Sequence, residues 1–128
     1  MEKIKALLVD DEEEFVFTLA ERLNLRGIAT LVATTGDEAL GIIESETPSV
    51  VILDVMMPGL GGLEVLKQIK RDSPSTQVIL LTGRGSSKDG EKGKQMGAFD
   101  YLVKPVRIEE MVKIITEAFE VSKKNNEM

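Results

Sequence analysis

The 128-residue sequence has 42% hydrophobic residues, a mean hydropathy of -0.02 and a net charge of -6. This size and balance fit one globular domain, and the acidic charge argues against direct binding to nucleic acid or to an anionic membrane surface. The absence of cysteine and histidine excludes disulfides, thiolate or imidazole metal ligands and a phosphohistidine of the chain's own. No segment has the pattern of a signal peptide or a membrane span, so we expect a cytoplasmic protein.

Short β-branched and leucine-rich segments alternate with longer segments of helical period, which is typical of a parallel sheet covered by helices on both faces. Five strands are predicted, at Ile4 to Val9, Thr30 to Ala33, Val50 to Leu53, Val78 to Leu81 and Tyr101 to Val103. The first helix has its apolar face at Val16, Leu19, Ala20 and Leu23 and stops at Gly27. Further helices are predicted at about Gly36 to Ser45, Gly62 to Asp72 and Arg107 to Val121. We expect one domain over residues 4 to 121 and a flexible polar tail from Ser122 to Met128.

The fourth helix is the weakest of the predicted elements. Residues Ser86 to Gln95 contain no large apolar side chain, and each glycine inside a helix costs about 1 kcal/mol relative to alanine. These features predict a short or mobile helix. Gly90, Gly93 and Gly97 also recur at helical spacing, which would let the helix backbone lie close to the sheet.

Residues capable of chemistry follow four of the five predicted strands. Asp10 and Asp11 come after the first strand, Asp54 after the third, Thr82 after the fourth and Lys104 after the fifth. The carboxyl ends of parallel strands lie at one edge of a sheet, where ligands bind. We therefore expect three carboxylates, a hydroxyl and an ammonium to converge there.

Each of these residues also has an ordinary structural explanation. Asp10 or Asp11 would suit the cap of the next helix, Asp54 or Thr82 would suit a turn, and Lys104 would suit a solvated surface. These explanations leave a cluster of like charges, and carboxylates brought together repel one another unless a cation holds them. Oxygen ligands alone favour Mg²⁺ or Mn²⁺ over zinc, and a carboxylate at such a site can accept a phosphoryl group.

Four motifs show which family the sequence resembles. VDD at 9 to 11, ILDVMMPG at 52 to 59, LLTG at 80 to 83 and GAFDYLVKP at 97 to 105 are similar to the receiver domain of two-component response regulators. The resemblance covers about Ile4 to Val121. It implies a flavodoxin-like (βα)5 fold with strand order 2-1-3-4-5. Because only a short tail follows the fifth helix in this sequence, we expect a single-domain regulator with no output domain.

The resemblance also implies a phosphoacceptor and a magnesium site. Asp54 matches the phosphoacceptor of the family. Asp10 and Asp11 match the acidic pair that holds Mg²⁺ together with Asp54 and the backbone carbonyl of Met56. Mn²⁺ would suit the same ligands.

The same resemblance implies which residues respond to phosphorylation. Thr82 and Lys104 match the residues that contact the phosphoryl group. Thr82 and Tyr101 match the pair that moves when this group is present. The Lys104-Pro105 peptide bond is expected to be cis, as is usual in this family.

Two variable positions flank the expected phosphoryl site. They are Met56, two residues after Asp54, and Arg84, two residues after Thr82. In this family these positions influence how fast the acyl phosphate hydrolyses. A thioether that excludes water and a guanidinium that pairs with phosphoryl oxygens predict a comparatively long-lived phosphorylated form.

Both the phosphoryl donor and the output target are expected to be separate proteins. A chain without histidine needs a histidine kinase, or a histidine phosphotransfer protein of a phosphorelay, acting in trans, or else a small acyl phosphate as the donor. Phe15 or Phe17 would lie near the acidic site, either as part of the docking surface for that donor or as part of a wide packed face. The core stripe of helix five is Ile108, Val112, Ile115 and Phe119, and its apolar arc extends to Met111, Ile114, Ala118 and Val121. That breadth predicts either a wide core face or an interface for a homodimer or an output protein.

The leading hypothesis is a phosphorylation-controlled signalling switch, which catalyses only its own phosphorylation and dephosphorylation and is otherwise not an enzyme. The alternative is a phosphate-independent protein-interaction module with the same fold. An aspartyl phosphatase is disfavoured because Met56 stands where its second aspartate is expected. A flavin-binding protein is disfavoured because the chain has no Trp and a single Tyr.

Overall fold

The computed structural model describes residues 3–85 and 87–126. The strands are β1 (Lys5–Val9), β2 (Ala29–Ala33), β3 (Val50–Asp54), β4 (Gln77–Thr82) and β5 (Asp100–Val103). The helices are α1 (Glu13–Leu25), α2 (Gly36–Glu46), α3 (Gly62–Asp72), α4 (Ser87–Gln95) and α5 (Ile108–Asn126). The strands form one parallel sheet in the order β2-β1-β3-β4-β5, which confirms the predicted flavodoxin-like architecture.

The central strands are apolar between their ends, as expected where helices cover both faces of a sheet. Successive residues of β3 alternate between two core clusters, so that Ile52 packs on the α1 and α5 side and Leu53 on the α2 and α3 side. Ile79 and Leu80 of β4 alternate in the same way, and all four side chains are fully buried. Each contributes about 1.5–3 kcal/mol through burial of its apolar surface. This packing fixes the strands in register and sets their carboxyl ends side by side.

Helix α1 ends where the sequence predicted a stop. Its last residue is Leu25, and Gly27 follows with φ +85°. Residues with a Cβ rarely adopt this left-handed conformation, so a glycine at this position allows the chain to turn directly into β2.

The glycines of helix α4 allow its backbone to pack closely against the sheet. Gly90 and Gly93 are its buried residues, and a Cβ at Gly90 would lie 2.5 Å from the ring of Tyr101. A Cβ at Gly93 would overlap the side chain of Leu80. The prediction of a close backbone approach is therefore confirmed, in a short helix of nine residues. Ser86, with which the predicted segment began, lies outside the described residues.

Helix α5 is longer than the sequence predicted. We expected it to end near Val121 and to be followed by a flexible tail, but the helix continues to Asn126, and Ser122 is buried with 2% of its surface exposed. Lys123 and Lys124 favour this extension because lysine has a good helix propensity and a cation stabilises the last turn of a helix. The prediction of a tail is thus wrong up to Asn126, and residues 127–128 lie outside the described part of the chain.

The apolar breadth of α5 is used within the core. Its buried apolar residues are Ile108, Met111, Ile114, Ile115, Ala118 and Phe119. Val112 and Val121 are half-buried. A wide core face, the first of the two alternatives, accounts for the pattern, and a homodimer through this helix stays a prediction. None of the described helices has the length and hydropathy needed to cross a lipid bilayer.

The packing of α4 predicts opposite effects for two alanine substitutions. Gly93→Ala should lower the free energy of unfolding by about 1–3 kcal/mol, because the added methyl group overpacks the contact with Leu80. Gly41→Ala should raise it by about 0.5–1 kcal/mol, because Gly41 is an exposed residue inside α2 with open space around the added Cβ. Urea unfolding followed by circular dichroism measures both. Equal stabilisation by the two substitutions would contradict the close packing of α4.

Candidate functional site

The strand ends bring together the side chains that the sequence singled out at the carboxyl edge of the sheet. Asp10, Asp54 and Thr82 are buried there, with 1%, 5% and 0% of their surfaces exposed. Asp10 follows β1, and its neighbour in the sheet, β3, ends at Asp54. The adjacency of these two strands places two carboxylates side by side in a poorly solvated position.

Lys104 supplies a positive charge to both carboxylates from the far edge of the sheet. Its backbone N–H donates to the carbonyl of Thr82 at 2.8 Å, which ties the residue to the end of β4. From there the side chain crosses above β4 and β3, and Nζ lies 2.8 Å from Asp10 Oδ2 and 3.7 Å from Asp54 Oδ2. The Lys104-Pro105 peptide bond that follows is cis, as expected.

In each buried aspartate, one carboxylate oxygen accepts a hydrogen bond from the backbone and the other faces the side chains of the site. Asp10 Oδ1 accepts a hydrogen bond of 3.0 Å from the backbone N–H of Glu12, and Asp54 Oδ1 accepts one of 3.1 Å from that of Met56. These bonds fix the two loops, much as the ordinary turn and capping roles of aspartate require. The Oδ2 atoms face Lys104. The structural role and a chemical role are therefore compatible in both residues.

The environment of Asp54 raises its pKa to about 6. Burial is the main cause because it disfavours the carboxylate, and the negative charge of Asp10 adds to the effect. Lys104 and the N–H of Met56 act in the opposite direction without compensating fully. For Lys104 itself, burial alone would lower the pKa. Its hydrogen bonds to Asp10 and Glu12 and the charge of Asp54 outweigh burial and raise it.

The carboxylates present suit a hard divalent cation. Asp10, Glu12 and Asp54 each offer an oxygen, and these oxygens lie within 4.8 Å of one another. The chain has no cysteine or histidine, so side-chain oxygens and backbone carbonyls are the ligands at hand, as Mg²⁺ prefers. Asp11, which the family resemblance implied as a ligand, is exposed and stands outside this group, whereas Glu12 lies within it.

Two further predicted residues lie beside this edge: Thr82 contacts β5, and Tyr101 contacts α4. The hydroxyl of Thr82 donates a long hydrogen bond of 3.5 Å to the carbonyl of Leu102 in β5. The ring of Tyr101 packs against Gly90, and its hydroxyl donates to the carboxylate of Glu91, which raises the pKa of the tyrosine. The two side chains thus lie on the β5 and α4 side of the sheet.

The two variable positions that flank Asp54 and Thr82 in the sequence are both open to solvent. Met56 is 65% exposed, and Arg84 is exposed in the loop after β4. Solvent-exposed side chains at these positions are free to adjust to a group added at the edge of the sheet.

Two contacts of Lys104 were not anticipated from the sequence. Glu12 Oε1 lies 3.0 Å from Nζ, and the centroid of the Phe15 ring lies 4.7 Å from it. The only signal for Glu12 was its place in a run of five acidic residues from Asp10 to Glu14, which does not distinguish one glutamate from the next. Phe15 was expected near the acidic site as a docking or packing residue, not as a partner of the lysine.

The raised pKa of Asp54 predicts that the site destabilises the fold at neutral pH. The carboxyl group titrates at about 6 in the folded protein and near 3.8 in the unfolded chain. Between these values the folded state holds more protons, so the free energy of unfolding falls as the pH rises from about 4 to about 6. Asp54→Asn should therefore raise it by about 1–2 kcal/mol at pH 7 without divalent cations, and the gain should vanish near pH 4.

The control for this substitution is Asp72→Asn. A hydrogen bond to Arg71 lowers the pKa of the exposed Asp72, so its loss should bring no gain in stability. Urea titrations across this pH range measure both variants. A gain for Asp54→Asn that persists unchanged at pH 4 would show that its cause is not the ionisation of the carboxyl group.

Comparison with known proteins identifies relatives that match most of the chain. The family model of the response regulator receiver domain matches residues 6–116. The alkaline phosphatase synthesis transcriptional regulatory protein PhoP of Bacillus subtilis is 37% identical over 127 residues, which are 97% of this chain and 53% of the relative. The transcriptional regulatory protein CpxR of Escherichia coli is 42% identical over 108 residues, 84% of this chain and 46% of the relative. The chain spans about half the length of these curated relatives.

Solved structures give the same result. A response regulator receiver domain protein from Clostridium thermocellum superposes with a TM-score of 0.89 at 33% identity, covering 98% of this chain and 99% of that one. The receiver domain of NtrX from Brucella abortus superposes with a TM-score of 0.86 at 31% identity, covering 90% and 98%. With the fold, the acidic edge and these matches in agreement, the chain belongs to the family of response regulator receiver domains.

Proposed function

We propose that this receiver domain is a switch in which Asp54 accepts a phosphoryl group from the phosphohistidine of a partner. The partner is a histidine kinase or a histidine phosphotransfer protein, and the exchange takes place in the cytoplasm. The observation that carries the proposal is the state of Asp54. It is a buried carboxylate with one oxygen fixed by a backbone N–H and the other facing an ammonium.

The proposed reaction is a displacement at phosphorus. Asp54 Oδ2 attacks the phosphorus atom, the bond between phosphorus and the donor imidazole nitrogen breaks, and the imidazole keeps the electron pair of that bond. An acyl phosphate forms on Asp54. Lys104 is close enough to meet the charge on the phosphoryl oxygens, so the chain contributes mainly positioning and electrostatics.

Mg²⁺ is the cofactor that suits this site. Asp10, Asp11, Asp54 and the backbone carbonyl of Met56 are the proposed ligands, and Glu12 is a further carboxylate within reach. When bound, the cation offsets negative charge on the phosphoryl group and on the carboxylates. The buried carboxylates also gain from it, since they repel each other without a cation.

The proposed switch lies on the β5 and α4 side. The Thr82 hydroxyl would exchange the long hydrogen bond to Leu102 for a phosphoryl oxygen, which offers a stronger acceptor. Tyr101 would follow and leave its contacts with Gly90 and Glu91. A changed surface at α4 and β5 would then be read by an output protein. The relatives PhoP and CpxR are transcriptional regulatory proteins.

Acetyl phosphate and Mg²⁺ should add a single phosphoryl group to the protein. Intact-mass spectrometry should show one adduct on the wild type and none on Asp54→Ala or after chelation of the metal. Thr82→Ala, which leaves the acceptor in place, should still be labelled because its hydroxyl does not form the new bond.

A wild-type protein that stays unlabelled by acetyl phosphate and by a panel of phosphorylated histidine kinases would contradict the proposed function. That result would favour the alternative, a phosphate-independent protein-interaction module. Labelling that survives Asp54→Ala would instead place the acceptor elsewhere.

Met56 and Arg84 should lengthen the lifetime of the phosphorylated form. Replacing them together by Asn and Glu should speed hydrolysis by about threefold or more, because a guanidinium partner is replaced by a like charge. Decay of the adduct after removal of the donor measures the rate. The matched control is Arg71→Glu, the same charge change on an exposed arginine at the C-terminal end of α3, whose partner is Asp72. Equal hydrolysis rates of the phosphoryl adduct in the wild type and the double variant would show that Met56 and Arg84 do not lengthen its lifetime.

A further inference from the structure

The ammonium of Lys104 is held more closely by the α1 side of the site than by the phosphoacceptor. Nζ lies 2.8 Å from Asp10 and 3.0 Å from Glu12, at hydrogen-bond distance, but 3.7 Å from Asp54. The Phe15 ring, whose centroid is 4.7 Å away, lies in the first turn of α1, which Glu12 immediately precedes, and it attracts the cation through its face. The contacts with Asp10, Glu12 and Phe15, all of which follow β1 in the sequence, therefore hold the Lys104 ammonium away from Asp54.

The two close carboxylates differ in how readily they release the ammonium. Asp10 is 1% exposed, and a buried carboxylate that loses its cation is left in a poorly solvated position at high cost. Glu12 is 64% exposed, so water can solvate its carboxylate once the ion pair opens, and such pairs are weak. An ammonium has three N–H donors, and two of them are engaged by these residues.

We propose that Glu12 is a positioning residue for Lys104, which holds the ammonium on the α1 side while Asp54 is unmodified and releases it when a phosphoryl group arrives. The release step rests on the proposed function. Until release, Glu12 competes with the phosphoryl oxygens for the same donor. Its presence should therefore slow phosphorylation and keep Lys104 ordered in the unmodified protein.

Glu12→Gln tests this role against a matched control in the next residue. Glu13 carries the same charge, is exposed and has no ion pair to Lys104 among the described residues, so Glu13→Gln changes the net charge without touching the lysine. The first measurement is the ¹H–¹⁵N NMR signal of the Lys104 ammonium in the metal-free, unphosphorylated protein, assigned by its loss in Lys104→Met. The second is the rate of labelling by acetyl phosphate at saturating Mg²⁺.

We expect the ammonium protons to exchange with water faster in Glu12→Gln than in Glu13→Gln, by about two- to fivefold, the range for an exposed ion pair. Labelling of Glu12→Gln should be faster than that of Glu13→Gln by a similar factor. Saturating Mg²⁺ separates this effect from any loss of metal affinity, and the Mg²⁺ dependence of each variant's rate verifies saturation.

Two results would overturn the inference. Ammonium exchange that is identical in the two variants would show that Glu12 does not hold Lys104. Labelling of Glu12→Gln at or below the rate of Glu13→Gln would show that Glu12 does not compete with the phosphoryl group. Failure of the proposed function is distinguishable from both, because no variant would then be labelled while the ammonium signal would still report whether Glu12 holds the lysine.

Discussion

The ion pairs of Lys104 are the constraint on which the carboxyl edge of the sheet depends. Because β1 and β3 are neighbours, Asp10 and Asp54 lie side by side in a buried position where their charges repel. An ammonium from the end of β5 offsets that repulsion across two intervening strand ends. The pair with Asp10 joins residues 94 positions apart in the sequence. The site can therefore form only when the first and last strands have both entered the sheet.

Burial has two opposed effects on Asp54. It excludes water from the carboxyl group, a condition that would also protect an acyl phosphate from hydrolysis, but it raises the free-energy cost of ionising that group. The pKa of about 6 is the net result of these influences: burial and the charge of Asp10 raise it, whereas Lys104 and the N–H of Met56 lower it. A carboxylate at this balance is ionised at neutral pH but remains sensitive to any added charge nearby. This sensitivity is the physical basis on which a cation, a lysine or a glutamate can tune the site.

The sequence predicted the sheet and its polar edge because both depend on short-range patterns. Apolar segments define the strands, and whatever residue ends a parallel strand must lie at that edge, as Asp54 does. Glu12 could not be singled out, because its role depends on which of several adjacent acids a distant lysine can reach. The end of α5 was misjudged because polar helix-forming residues after Val121 resemble a tail until Ser122 is seen to be buried. The glycines of α4 were ambiguous, since low helix propensity and close packing leave the same signature.

Helix α4 has two distinct faces: one packs against the sheet through its glycines, and the other is exposed to solvent. Gly90 and Gly93 set the distance between the helix and the sheet through backbone contact, whereas Lys88 and Lys92 are exposed. Residues on the exposed side can therefore change with little effect on how the helix is seated. During evolution, substitutions on this exposed surface would therefore change which partners bind to it, while the two glycines keep the helix packed against the sheet.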